Sequence, residues 1–213
     1  MVTHPLHILQ LSVAVLCYPL FFVFGRLFPP FAAFIMAFAA YWTLLAAGIF
    51  IALLTDERGC RKFKWVLRRP GNPGLFILAF LPAAAVFVLG TLPVLSRMSL
   101  EVLVAAAVVG TINGIFEELF WRGLTLAHFT RSRAAMLVST GLFAAYHGAF
   151  ALLPIRYAGG AAALLGSALV MGLFWLFIAR RSRSIIGVIA AHVAVNILAF
   201  SALFIENGLM TAA

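Results

Sequence analysis

Three stretches of the sequence carry polar side chains at helical spacing inside otherwise apolar runs: Glu117-Glu118-x-x-x-Arg122, Phe143-x-x-x-His147 and His192-x-x-x-Asn196. The chain has six acidic residues, of which Asp56 and Glu57 fall in a charged stretch and Glu101 and Glu206 at the ends of apolar blocks. Glu117 and Glu118 are the two that lie well inside a block. Adjacent carboxylates in a low dielectric resist double ionisation unless a cation compensates. Arg122 follows Glu118 by four residues, one helical turn, where side chains meet. Glu117 points about 100° away from Glu118 and finds no partner on its own helix.

A carboxylate, two imidazoles and an amide, with no activated nucleophile beside them, suit hydrolysis by an activated water. Glu117 would take the proton from water, and His147 would hold or polarise that water. His192 and Asn196, stacked one turn apart, would donate to the oxygen that gains charge. Ser139, Ser167 and Ser201 lack the neighbouring base that a serine nucleophile needs.

The elements that must position these groups follow from composition. The 213 residues are 65% hydrophobic and 10% charged, with a mean hydropathy of +1.12. Roughly 25% charged residues is normal for a soluble domain, so this chain reads as an integral membrane protein. The first block lacks a positive leading region and a small-residue cleavage site, so it reads as a span rather than a cleaved signal. Apolar blocks long enough to cross roughly 30 Å of hydrocarbon fall at about 7–25, 31–54, 75–95, 102–127, 134–153, 159–179 and 184–205. The expected fold is all-α: a polytopic transmembrane helix bundle of about seven spans, one domain over 1–213, with its catalytic core in the last four. Counted from one end of each span, Glu117, His147, His192 and Asn196 fall in a layer roughly 8 Å thick at about 1.5 Å per residue. Three helices thus present polar groups at one level, as a shared buried site requires.

The net charge of +9 suggests nucleic acid in a soluble protein, but cytoplasmic loops explain it here. The second, fourth and sixth connections hold Arg58, Arg61, Lys62, Lys64, Arg68, Arg69, Arg131, Arg133, Arg180, Arg181 and Arg183, against Arg26, Arg97 and Arg156 on the other side. That asymmetry predicts a cytoplasmic N-terminus and an outside C-terminus, in the cell membrane. The stretch from Asp56 to Arg69, basic with interleaved Phe63, Trp65 and Val66, reads as an amphipathic surface segment or a plain positive-inside anchor. Cys17 and Cys60 form neither a disulfide framework nor a metal motif.

In order and spacing, the three motifs resemble those of the CPBP family, the CAAX proteases and bacteriocin-processing enzymes also called Abi. The resemblance covers roughly 100–205. It implies a glutamic intramembrane endopeptidase without a cofactor, acting on a membrane-associated peptide or protein within the lipid bilayer and not on nucleic acid. It implies Glu117 as base, His147 as its water-positioning partner, His192 and Asn196 as oxyanion stabilisers, and Glu118 with Arg122 as a supporting pair. A prenylated substrate is not carried over, because this chain is short and reads as seven spans where the eukaryotic members have eight. Three other readings use the same residues. Glu117, His147 and His192 would ligate a catalytic zinc with water as the fourth ligand. A Glu–His cluster would relay protons in a transporter, although no repeat symmetry or discontinuous span is evident in the sequence. A non-catalytic member would bind a peptide in the same place.

Overall fold

Hydrocarbon satisfies no backbone hydrogen bonds, so a chain of this composition must close them within helices. The computed structural model describes residues 4–68, 72–129 and 132–209, and among these every regular element is helical. Arg69 and Arg131 lie outside the described residues. Seven segments are long and apolar enough to cross a membrane: Pro5–Leu27, Pro30–Thr55, Pro73–Arg97, Leu100–His128, Arg133–Leu152, Gly160–Ser182 and Ile186–Glu206. Each expected block is found, with ends moved by a few residues.

Helices α1 (Pro5–Leu27) and α2 (Pro30–Thr55) are joined by a two-residue turn at Phe28-Pro29. A short helix, α3 (Glu57–Val66), follows; Asp56 caps it by accepting the Arg58 N–H at 2.9 Å. The Gly59 N–H beside the Asp56 carboxyl is the main reason it stays below the usual carboxylate range. Phe63 and Val66 turn inward, while Arg58, Arg61, Lys62, Lys64 and Trp65 stay exposed. The amphipathic segment expected from the sequence is therefore a helix docked on the bundle.

The third span differs from its reading as an unbroken helix. It runs through α4 (Pro73–Leu78), α5 (Leu81–Val86), a π-helical turn (Phe87–Thr91) and a 3₁₀ turn (Leu92–Arg97). Pro82 and Pro93 lack the N–H that would continue the ladder, which breaks the helix where they sit. Neighbours take over: the Thr91 hydroxyl donates to the Leu198 carbonyl at 3.1 Å, and the Trp175 indole to the Ala79 carbonyl at 3.0 Å.

The fourth span is α6 (Leu100–Glu117), a π-helical turn (Glu118–Gly123) and α7 (Leu124–His128). The fifth is α8 (Arg133–Tyr146) with a 3₁₀ turn (His147–Leu152). Last come α9 (Gly160–Ser182) and α10 (Ile186–Glu206). The second, fourth and sixth connections gather at one end: His128 Nε2 lies 3.3 Å from Asp56 Oδ2, and the Ile185 N–H donates to the Val66 carbonyl at 3.0 Å. His4 is at that end too, its ring 5.9 Å from that of His128.

The outer surface is apolar, with Ile77, Leu89, Leu100 and Val170 each more than two-thirds exposed. Such a surface has lipid as its solvent. Inside, Phe34 and Phe38 of α2 pack edge to face with Phe200 and Phe204 of α10, and Phe38 meets Phe150 of the His147–Leu152 turn at a tilt.

Helices α6 and α10 cross at backbone contact. A Cβ on Gly114 would stand 2.9 Å from the Val193 amide nitrogen, and one on Gly110 would stand 2.9 Å from that of Ile197. Lipid tails give helices no hydrophobic reason to associate, so small residues that admit close backbone contact decide where they meet. Gly110-x-x-x-Gly114 is such a spacing. We predict that Gly114→Ala destabilises the protein by about 1–3 kcal/mol, read as a lower thermal midpoint in detergent. Gly166→Ala, where a Cβ meets open space, is expected to leave the midpoint unchanged or slightly higher.

Candidate functional site

The α6–α10 crossing sets Glu117 and Glu118 against His192. Glu117 and Glu118 are fully buried, and Arg122 and His192 nearly so. Arg122 Nη1 donates to Glu118 Oε1 at 2.9 Å, so the expected one-turn pair forms even though the helix opens into a π-helical turn there. His192 Nδ1 reaches the same Glu118 oxygen at 2.7 Å. Its Nε2 lies 3.3 Å from Glu117 Oε2, within ion-pair distance but not aligned as a hydrogen bond. His192 therefore bridges both carboxylates. Two carboxylates, one guanidinium and one imidazole reach neutrality when a proton sits on His192 Nε2 or on Glu117 Oε2, and one transfer along that line exchanges the two states.

Glu117 is thus compensated by other helices. Its Oε1 accepts a hydrogen bond from the Tyr146 hydroxyl, while its Oε2 has no hydrogen-bond donor in the protein. The Tyr146 oxygen lies 3.5 Å from His147 Nε2. His147 Nδ1 lies 2.8 Å from the Phe143 carbonyl oxygen. A carbonyl only accepts, so Nδ1 carries the hydrogen and neutral His147 turns a lone pair on Nε2 toward Tyr146. Phe143 joins these groups: its ring lies under the Arg122 guanidinium at 3.8 Å and meets the His147 ring at 4.7 Å, edge to face. Trp175 covers His192 from α9, with ring centroids 4.5 Å apart.

Of the residues singled out in the sequence, Glu117, Glu118, Arg122 and His192 form one connected network. His147 joins through Tyr146 and not by direct contact with Glu117. Asn196 lies one turn beyond His192, but its amide donates to the Gly110 carbonyl at 3.4 Å, on the neighbouring helix. Among the described residues, no three His, Cys, Asp or Glu side chains converge as ligands for a metal ion. Of Glu117, His147 and His192, the ligand set weighed for zinc, Glu117 and His192 lie 3.3 Å apart, while the Tyr146 hydroxyl contacts both Glu117 and His147.

In the sequence Tyr146 reads as a packing and wall residue whose hydroxyl could donate a hydrogen bond. Its signal was the type itself: a phenol inside an apolar span needs a partner for its hydroxyl. Its ring stacks between Tyr41 of α2, at 4.6 Å, and Trp121, at 5.8 Å. The Trp121 indole in turn donates to the Tyr41 hydroxyl at 2.9 Å.

Fold and site together define a polytopic membrane protein with an acid–base cluster sealed in its core. Residues 99–198, just under half of the chain, match the family model described as Rce1-like, type II CAAX prenyl endopeptidase Rce1-like. All three motifs lie in that stretch, which is thus similar to the CAAX protease (CPBP) family. No curated protein and no solved structure matches the chain.

Removing one member of a buried ion pair leaves the other uncompensated, at about 3–5 kcal/mol. Arg122→Met should lower stability by that order and abolish a folded, detergent-soluble species at moderate temperature. Arg122→Lys, which keeps a cation one turn from Glu118, should lose markedly less in the same thermal melt.

Proposed function

We propose that this protein, as a member of the CAAX protease family, hydrolyses a peptide bond at the membrane by a glutamate-activated water. The observation that carries the reading is Glu117: fully buried in an apolar span, with one oxygen held by Tyr146 and the other left without a donor beside an imidazole. Glu118 also leaves its Oε2 without a donor, but its Oε1 is held by both Arg122 and His192; Glu117 has no guanidinium of its own, although each ionisable group in a span costs about 2.5–3.5 kcal/mol on insertion scales.

In this mechanism a water lies between Glu117 Oε2 and His147 Nε2. Glu117 accepts one water proton as the water oxygen attacks the peptide carbonyl carbon, and His147 accepts a hydrogen bond from the other. Negative charge collects on the carbonyl oxygen, where His192 Nε2–H and the second Asn196 N–H donate. Collapse breaks the C–N bond, and the proton on Glu117 passes to the leaving nitrogen. Glu118 fixes the His192 ring as the carboxylate does in a Ser-His-Asp triad, and Arg122 balances its charge. The chemistry takes no cofactor.

The whole chain acts as one membrane domain with its catalytic core in 100–205. The substrate is a membrane-associated peptide or protein; the prenylated C-terminus in the family's description is one member of that class. The cell membrane, with the N-terminus cytoplasmic, is the proposed location. The gathering of His4 and the basic connections at one end supports that orientation.

The test compares new N- and C-termini of membrane proteins in cells expressing wild type or Glu117→Ala at matched levels. Termini that appear with wild type alone are the expected result, and they name the substrate. Identical terminal profiles from the two proteins would rule out proteolysis through Glu117.

A further inference from the structure

We infer that Tyr146 is a positioning residue for the catalytic carboxylate, fixing through its hydroxyl which oxygen of Glu117 serves as the base. The inference rests on the glutamate reading above and names a residue at an unspecified position of the second motif. The argument is geometric. Glu117 Oε1 takes the Tyr146 hydrogen, so its basicity is already spent on a donor. Oε2 has no hydrogen-bond donor and faces His192 Nε2 at 3.3 Å. A carboxylate with neither oxygen held would rotate about its last bond, whose torsional preference is broad. The two oxygens would then exchange in front of the substrate. With Oε1 anchored, the basic lone pair stays on the side that His192 and the bond-breaking site share.

The same hydroxyl limits His147. Both hydrogens that could bridge them are committed: the phenol's to Glu117, and that on His147 Nδ1 to the Phe143 carbonyl. The 3.5 Å gap from the Tyr146 oxygen to His147 Nε2 therefore faces lone pair to lone pair, and Nε2 stays free to accept from water.

Tyr146 can do this because its ring has no freedom of its own. It is fully buried and stacked between Tyr41 and Trp121, both also buried. Tyr41 belongs to α2, outside the matched stretch of 99–198. The first spans, generic in sequence, thus reach the acid–base cluster through this stack. A tyrosine kept only for packing would have its hydroxyl on a backbone carbonyl or at the surface, not on a fully buried carboxylate.

The experiment measures cleavage kinetics of purified protein in liposomes on a membrane-anchored peptide carrying a cut site found by the terminal profiling. Tyr146→Phe keeps the ring and the stack and removes the donor. A hydrogen bond to a charged group is worth a factor of about 10–100, so kcat should fall by that factor with KM within about two-fold. The thermal midpoint should stay close to that of wild type. Tyr157→Phe, which removes a buried hydroxyl that has no hydrogen-bond partner, should retain the wild-type kcat. Wild-type kcat in Tyr146→Phe would overturn the inference, as would equal losses in the two variants accompanied by a common drop in thermal midpoint. Glu117→Gln separates the two levels of the argument. If it is inactive while Tyr146→Phe is fully active, only the tyrosine's role fails; if it is itself active, the glutamate mechanism fails and this inference with it.

Discussion

Burying two adjacent carboxylates in a lipid-facing bundle is the constraint on which the rest of this structure depends. One cation on the same helix cannot serve both, because Glu117 and Glu118 point in different directions from one backbone. Arg122 answers Glu118, and His192 must come from another helix to reach both. For that, α10 has to approach α6 at backbone contact, which Gly110 and Gly114 permit and which larger residues would forbid. The charge pattern and the small-residue pattern are two halves of one requirement. The aromatic rings around the cluster complete it, since Phe143 faces the Arg122 guanidinium and Trp175 the His192 imidazole while excluding lipid.

The helix itself yields at this point. Glu118–Gly123 forms a wider π-helical turn, a feature often found where a helix carries functional side chains. The turn keeps Arg122 on Glu118 and also turns Trp121 toward Tyr41 and Tyr146. In the same region Gln10 of α1 donates to Thr125, Thr125 to Ser139, and Ser139 to the Trp121 carbonyl. The first two helices therefore brace the opened turn from one side, α8 from another. Their sequences look generic because bracing asks only for shape and an occasional hydroxyl or amide.

Much of this was legible beforehand, for identifiable reasons. Hydrocarbon thickness fixes span length, so seven apolar blocks announced seven spans. The Glu118–Arg122 pair followed from helical spacing and survived the π-helical turn. Depth counting put Glu117, His147 and His192 on one level, where the fold joins them. What depth does not fix is how each helix is rotated about its axis. Hence the sequence names no partner for Glu117, gives no acceptor for the Tyr146 hydroxyl, and does not put the Asn196 amide on the Gly110 carbonyl. The Gly110–Gly114 spacing held that rotational information and would have named the face of α6 that meets α10. The broken third span was carried by Pro82 and Pro93, which a hydropathy average over the block cannot register.

The central claim is that Glu117, Glu118 and His192 act as one unit around a single proton. Groups that work as a unit lose nearly everything at the first deletion and little more at the second. The decisive measurement is therefore the cleavage rate in liposomes of Glu117→Gln, His192→Gln and the double variant, each confirmed folded by its thermal midpoint. The account predicts that the double variant is about as slow as Glu117→Gln alone. Losses that multiply across the two sites would contradict it, because they would mean that the carboxylate and the imidazole serve the reaction independently.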